Sequence, residues 1–241
     1  MKKDKIFSKK NKKIDPFEFN AEVAGVFKDM LHRSIPSYPS TIETIESLTE
    51  QYIQPGSNCY DLGCSLGAAT LAIEKGINVK GCKIFAVDNS QPMINKCQSN
   101  INNEVTHVPI EIINDDILNI DINNASVVIM NYTLQFIDKN KRQLMIDKIY
   151  SGLRKGGLFL LSEKITNENE IIRDQLIKLH HDFKYKNSYS RFEINQKKAA
   201  LEEVLVCDDS PTHYSRFKKA GFINFGLWMQ HFNFVSYIAI K

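Results

Sequence analysis

The sequence predicts an α/β protein: a doubly wound, mostly parallel seven-stranded sheet that ends in an antiparallel C-terminal strand pair, with N-terminal helices and a helical insertion acting as a lid. Three observations predict it. Short apolar runs (NCYDLG, KIFAVD, IEIIND, SVVIMN and GLFLLSEK) alternate with helical segments starting near Ala68, Met93 and Lys141, the order of βαβ units around a parallel sheet. The last two β-rich runs, FINFGLWMQ and FNFVSYIAIK, are joined by a short turn that permits only antiparallel pairing, because parallel neighbours need a crossover. From Glu168 to Val206 the chain is polar and helical with no strand signal, which reads as an insertion at about residues 166–206 placed over the ligand edge of the sheet.

The remaining elements follow in chain order. Residues 1–19 open with seven lysines in thirteen residues (MKKDKIFSKKNKK) and read as a basic, solvated arm. Residues 20–241 then read as a single domain, and a hydrophobic content of 43% suffices for its core. From Ala21 to Ile53 apolar residues recur every three or four positions, broken by Ser34-Ile-Pro-Ser-Tyr-Pro39, so two amphipathic helices flank a Pro-rich turn. A helix from Tyr214 to Ala220 precedes the closing pair. The net charge of +3 does not call for a nucleic-acid or membrane partner. Five cysteines, odd in number and without CxxC spacing, fit a reducing cytoplasm, and no apolar run reaches the length of a membrane span.

Open α/β sheets bind ligands beyond the carboxyl ends of their strands, so the residues at those ends carry the functional information. The first strand runs into Asp61-Leu-Gly-Cys-Ser-Leu-Gly67, where Gly63 is expected to let the backbone approach a ligand and Gly67 to let a helix pack closely. The second ends in Asp88-Asn89, and a carboxylate there can accept both hydroxyls of a ribose. The third ends in Asn114-Asp115-Asp116-Ile117, suited to an adenine amino group and ring. The fourth ends in Asn131-Tyr132, beneath the reacting centre. A dinucleotide site seats a pyrophosphate on a helix N-terminus with a third glycine; here that position is Ser65, and Asp61 would repel a pyrophosphate but suit the ammonium of a methionine moiety. The ligand indicated is S-adenosyl-L-methionine.

These motifs resemble the Rossmann-like class I methyltransferase fold over Tyr52 to Lys241. The phrases RSIPSY, QPGSNCYDLGCSLGAATL, AVDNSQPMI, NASVVIMNYTLQFI, DKIYSGLRKGGLFLLSEK and HHDFKYKNSYS resemble more specifically the carboxy-S-adenosyl-L-methionine synthases, through the insertion as well as the sheet. The resemblance implies an enzyme that converts S-adenosyl-L-methionine and prephenate to carboxy-S-adenosyl-L-methionine and phenylpyruvate. Its product would be the carboxymethyl donor for oxyacetyl-uridine at the tRNA wobble position. It also implies cofactor contacts at Tyr38, Gly63, Cys64, Ser65, Asp88, Asn89, Asp116, Ile117 and Asn131, and a homodimer whose neighbouring subunit lends an arginine to the product's carboxylate. This sequence has Lys198 at that position, which keeps the charge and loses the bidentate fork, so Lys197 is a candidate helper. No metal, direct nucleic-acid contact or membrane contact is implied, and the location expected is cytoplasmic.

Other readings of the same residues stand beside these. An ordinary methyltransferase acting on a small molecule or tRNA needs the same cofactor residues, and a non-catalytic cofactor-binding partner would too. His180-His181-Asp182 suggests metal ligation, but adjacent histidines leave a helix on different faces. Cys64 reads as a small buried side chain in a tight turn, and Trp228, Phe232 and Phe234 read as core. Lys184, Lys186, Lys197 and Lys198 read as a solvated face, with a function favoured for Lys198 alone because of its family position.

Overall fold

The computed structural model describes residues 2–9 and 14–241. Its strands are β1 (Asn58–Leu62), β2 (Lys83–Asp88), β3 (Ile110–Asn114), β4 (Ala125–Asn131), β5 (Leu153–Lys164), β6 (Asn224–His231) and β7 (Phe234–Ile240). They form one sheet in the order β3-β2-β1-β4-β5-β7-β6. The first five are parallel, while β7 pairs antiparallel with both β5 and β6. After β1 the chain builds outward through β2 and β3, then returns to place β4 on β1's other side. The carboxyl ends of β1 and β4 therefore flank the point where the winding reverses, and a crevice opens there.

The helices are α1 (Ala21–Ser34), α2 (Tyr38–Tyr52), α3 (Ala68–Gly76), α4 (Gln91–Asn102), α5 (Lys139–Gly152), α6 (Glu170–Lys186), α7 (Arg191–Leu201) and α8 (Ser210–Ala220). Alternation along the central strand divides the core between the two faces of the sheet. Val127 and Ile129 of β4 face a cluster with Ile45 of α2 and Ala69, Ala72 and Ile73 of α3. Val128 and Met130 face the opposite cluster with Met145, Ile146 and Ile149 of α5 and Phe217 of α8. Every residue of β4 except Asn131 is buried, so the strand is an apolar run that delivers one polar side chain at its end.

Three helices begin earlier than apolar periodicity predicts, at Gln91, Lys139 and Ser210 rather than Met93, Lys141 and Tyr214. Their first turns are polar and carry no hydrophobic signal; the starts are marked instead by Ser90, Asp138 and Asp209, whose side chains accept backbone N–H groups of the first turn. The closing aromatics divide as well: Phe234 is buried, whereas Trp228 and Phe232 are half-exposed. The indole of Trp228 donates instead to Ser236.

The described part of the N-terminal arm departs from the solvated arm expected. Its positions 1 and 10–13 lie outside the described residues. Asp4 is only 1% exposed. Its backbone N–H donates to Asp29 Oδ2 at 2.7 Å, its carbonyl accepts from Arg33, and its carboxylate accepts the hydroxyl of Tyr189 and lies 3.9 Å from Lys197 Nζ. Arg33 also donates to the carbonyls of Asn187 and Ser188, both at 2.7 Å, and its guanidinium lies 3.7 Å over the Tyr189 ring. The first residues therefore close a knot between α1 and the turn joining the two lid helices. One buried acid overrides the bulk charge of the segment because it finds donors on three elements. Asp4→Ala should lower the unfolding free energy by about 2–4 kcal/mol, since it takes the acceptor from a buried hydroxyl and the carboxylate from a buried ammonium; urea denaturation with a midpoint equal to wild type would contradict the knot.

Candidate active site

The crevice widens into a cavity of about 1040 Å³ roofed by α1, α2 and the lid helices. That is at the upper end of the range for small-molecule sites. All ten predicted positions, Tyr38, Gly63, Cys64, Ser65, Asp88, Asn89, Asp116, Ile117, Asn131 and Lys198, border it.

Asp61 is 1% exposed on this wall; Thr70 donates to its Oδ2 at 2.6 Å and its Oδ1 has no partner. Burial pushes its pKa up to about 7, opposed by the Thr70 bond. An orphaned buried carboxylate oxygen fits an ammonium, which would return the group to its ionised form. The turn that follows is set by backbone conformation. Gly63 has φ +88, and a Cβ there would lie 2.3 Å from Thr133 Oγ1. The glycine therefore serves the close approach of the segment after β4 as well as bordering the cavity. At Gly67, φ is +84 and a Cβ would lie 2.9 Å from Cys97 Sγ, which is the close helix packing expected.

Asp88 accepts Ser65 N–H on Oδ2 and Ser90 N–H on Oδ1, each at 2.9 Å. Burial raises its pKa, and these two bonds oppose the shift. Each oxygen keeps a lone pair for a further donor, the arrangement that two vicinal hydroxyls require. Asn114 donates to the carbonyl of Asp88, and Asp115 accepts from Asp116 N–H and Asn119, so both serve the strand ends. Asp116 is left facing the cavity beside the buried Ile117. At the end of β4 the side-chain oxygen of Asn131 is buried without a partner, and so is the hydroxyl of Tyr132, whose φ is +63.

Past Asn131 the wall changes sign. Lys164 ends β5, and the strand-end rule used for four strands reaches it as a fifth. Its backbone N–H donates to Gln135 Oε1 at 3.0 Å, and burial lowers its ammonium's pKa. Lys184 of α6 is only 6% exposed; burial, with Lys197 and Lys164 nearby, brings its pKa down to about 7. The lid thus turns Lys184 and Lys197 inward, which corrects the solvated face expected of those two, while Lys186 and Lys198 are exposed. Lys197 donates to Ser34 Oγ at 3.2 Å besides its contact with Asp4. Lys198, expected from a neighbouring subunit, borders the cavity of its own chain.

His180 donates through Nε2 to the carbonyl of Ser34 at 2.8 Å and lies edge-on to Phe234; burial and the neighbouring lysines Lys184 and Lys164 hold it neutral. His181 is held down to about 4 by the same causes. Among the described residues no group of three or more His, Cys, Asp or Glu side chains is placed to hold a metal ion, and no helix is long and apolar enough to cross a membrane. Cys64 is buried beside Cys97, and its thiol is held well above its ordinary value, so it offers no thiolate. Asp88→Ala removes a charged acceptor and should weaken S-adenosyl-L-methionine binding about 10- to 100-fold. Titration calorimetry checks this, and an unchanged Kd would contradict the cradle.

A family model described as a methyltransferase domain matches residues 60–157. Two solved structures share the fold: an O-methyltransferase family protein from Burkholderia thailandensis (TM-score 0.66, 14% identity, 95% of this chain and 65% of that one) and the magnesium protoporphyrin IX methyltransferase from Synechocystis with bound SAH (TM-score 0.61, 13% identity, 88% and 87%). At those identities the likeness is one of fold alone. Relatives at much higher identity are specific. The carboxy-S-adenosyl-L-methionine synthase of Colwellia psychrerythraea is 49% identical over 99% of this chain and 98% of its own. Those of Vibrio parahaemolyticus and Actinobacillus pleuropneumoniae are 48% and 47% identical, over 99% and 100% of this chain and 97% and 100% of theirs. These matches cover the lid as well as the sheet, and by them the chain belongs to the carboxy-S-adenosyl-L-methionine synthase family.

Proposed function

We propose that the enzyme converts S-adenosyl-L-methionine and prephenate to carboxy-S-adenosyl-L-methionine, phenylpyruvate and water, in the cytoplasm, and that its product is the carboxymethyl donor for wobble-uridine modification in tRNA. The observation that carries the reading is the change of sign along one cavity, from the acids Asp61, Asp88 and Asp116 to the lysines Lys164, Lys184 and Lys198. The acid end suits a cation with ribose hydroxyls. The basic end suits a dianion held beside it, which an ordinary methyl transfer to a neutral acceptor does not need.

In this reading Asp61 takes the methionine ammonium, Asp88 and Asn89 take the ribose, Asp116 and Ile117 take the adenine, and Tyr38, Cys64, Ser65 and Asn131 close around the sulfonium half. Prephenate loses its ring carboxylate as carbon dioxide and its ring hydroxyl as hydroxide, leaving phenylpyruvate. The sulfonium methyl gives up a proton, which the expelled hydroxide takes up as water. The carbanion so formed bonds to the carbon dioxide. The protein holds the two substrates in contact and excludes water that would protonate the carbanion. Neutral His180 and His181 leave the anions to the lysines. Assembly of two subunits, with Lys198 reaching across or acting within its own chain, completes the proposal.

Incubation with both substrates and mass spectrometry should show an S-adenosyl-L-methionine species heavier by one carboxyl, together with phenylpyruvate. S-adenosylhomocysteine in place of that species would instead support the ordinary methyltransferase. A second outcome follows from Lys184, which faces Lys164 and Lys197 with His181 alongside, and whose pKa of about 7 leaves it mostly neutral at pH 8. A bound dianion favours the charged form, so prephenate binding at pH 8 should take up protons. Calorimetric binding enthalpies that do not vary with buffer ionisation enthalpy would contradict this.

A further inference from the structure

A buried ammonium without a counterion is costly, so a fold that keeps one must gain from it elsewhere. The cavity's cations differ sharply in this respect. Lys197, 6% exposed, is answered within the protein by Asp4 and Ser34. Lys28, Lys141 and Lys198 are solvent-exposed and need no partner. Lys164 and Lys184 are the exceptions: among the described residues neither ammonium makes a hydrogen bond or an ion pair, though Lys184 is nine-tenths buried and both border the cavity. The charged groups that act on them are other cations, Lys198 and Lys197, and each other, with the Cys207 thiol beside Lys164. The side chain next along β5 offers them no counter-charge: Glu163 points to the opposite face of the strand, and burial holds its pKa well above the ordinary carboxylate range.

We propose that Lys164 and Lys184 are a two-point receptor for the second substrate, which they select as a dicarboxylate by presenting two lysine side chains, one half-buried and one buried, that no carboxylate of the protein answers. The assignment rests on the reaction proposed above and gives it a specificity element. The two lysines come from different layers, Lys164 from the fixed end of β5 and Lys184 from lid helix α6, so a ligand reaching both spans sheet and lid. A dianion satisfies both. A monocarboxylate satisfies one and leaves the other bare, so the monoanionic product is held less tightly than the dianionic substrate and leaves first. Lysine suits this task, because each position needs a single charge at the end of a flexible stem.

The test uses Lys164→Met and Lys184→Met, which keep the stems and remove the charges. Each should raise KM for prephenate at least tenfold while Kd for S-adenosyl-L-methionine stays within twofold. Each variant should also melt at or above the wild-type temperature without ligand, since it removes an amine whose ionisation the folded protein disfavours and no protein anion answers. In wild type, prephenate should compete at least tenfold better than phenylpyruvate, and the double variant should lose that preference. An unchanged KM, a parallel loss of S-adenosyl-L-methionine affinity, or a lower melting temperature without ligand would overturn the receptor. If wild type makes no carboxylated product, the proposed reaction fails on its own. The receptor is then read by titrating malonate into the S-adenosyl-L-methionine complex: binding by wild type that both variants lose upholds it, and no wild-type binding or equal binding by the variants overturns it.

Discussion

A carboxylate sealed at the end of the first strand is the constraint around which this molecule is organised. Asp61 is 1% exposed and has one oxygen bonded to Thr70 and the other left open. Burying a carboxylate so incompletely answered opposes folding unless it takes up a proton or meets a cation. The surrounding chain is consistent with the second outcome. Gly63 swings the backbone away in a left-handed conformation, Thr133 occupies the space a side chain would have taken, and Tyr38 borders the same cavity. A site for a cationic ligand is thus built into the place where the sheet changes its winding direction, and stability and binding meet in one group.

The lid is held in place through Arg33. This side chain is answered on every side, by Asp29, by the Asp4 carbonyl, by the carbonyls of Asn187 and Ser188, and by the Tyr189 ring. It fixes the turn between α6 and α7 to the end of α1 that leads on to Tyr38. His180 adds a second stitch to the Ser34 carbonyl, and Lys197 a third to the Ser34 hydroxyl. Three contacts at one helix end set the depth at which Lys184 meets the cavity. The first residues of the chain take part through Asp4, so a segment remote from the chemistry helps place the lid's charges.

How much of this was legible in the sequence depends on the range of the interactions. The strands and their order of use were legible, because apolar runs separated by helical periodicity reflect local burial. The positions around Gly63, Asp88, Asp116 and Asn131 were legible too, because topology alone brings strand ends together. Lys164 carried the same signal. Asp4 did not: its burial depends on Asp29, Arg33 and Tyr189, which lie 25 to 185 positions away in the chain, and its neighbours are lysines that signal solvent. Lys184 and Lys197 were equally hidden. A lysine on an amphipathic helix reads as solvated unless one knows which face the helix turns down, and the knot around Arg33 decides that.

The charge arrangement suits the proposed reaction, in which both partners are charged. A cationic sulfonium next to free lysines would be repelled in a common medium, so the cavity separates the two fields by placing its acids at the ends of β1, β2 and β3 and its lysines at β5 and α6. Asn131 and Tyr132 lie between, neutral and with buried oxygens free. Field lines from the two ends then meet where the strand end supplies only weak dipoles, and the reactants themselves neutralise the wall each one faces. In that reading each reactant supplies the counter-charge that the wall it faces lacks.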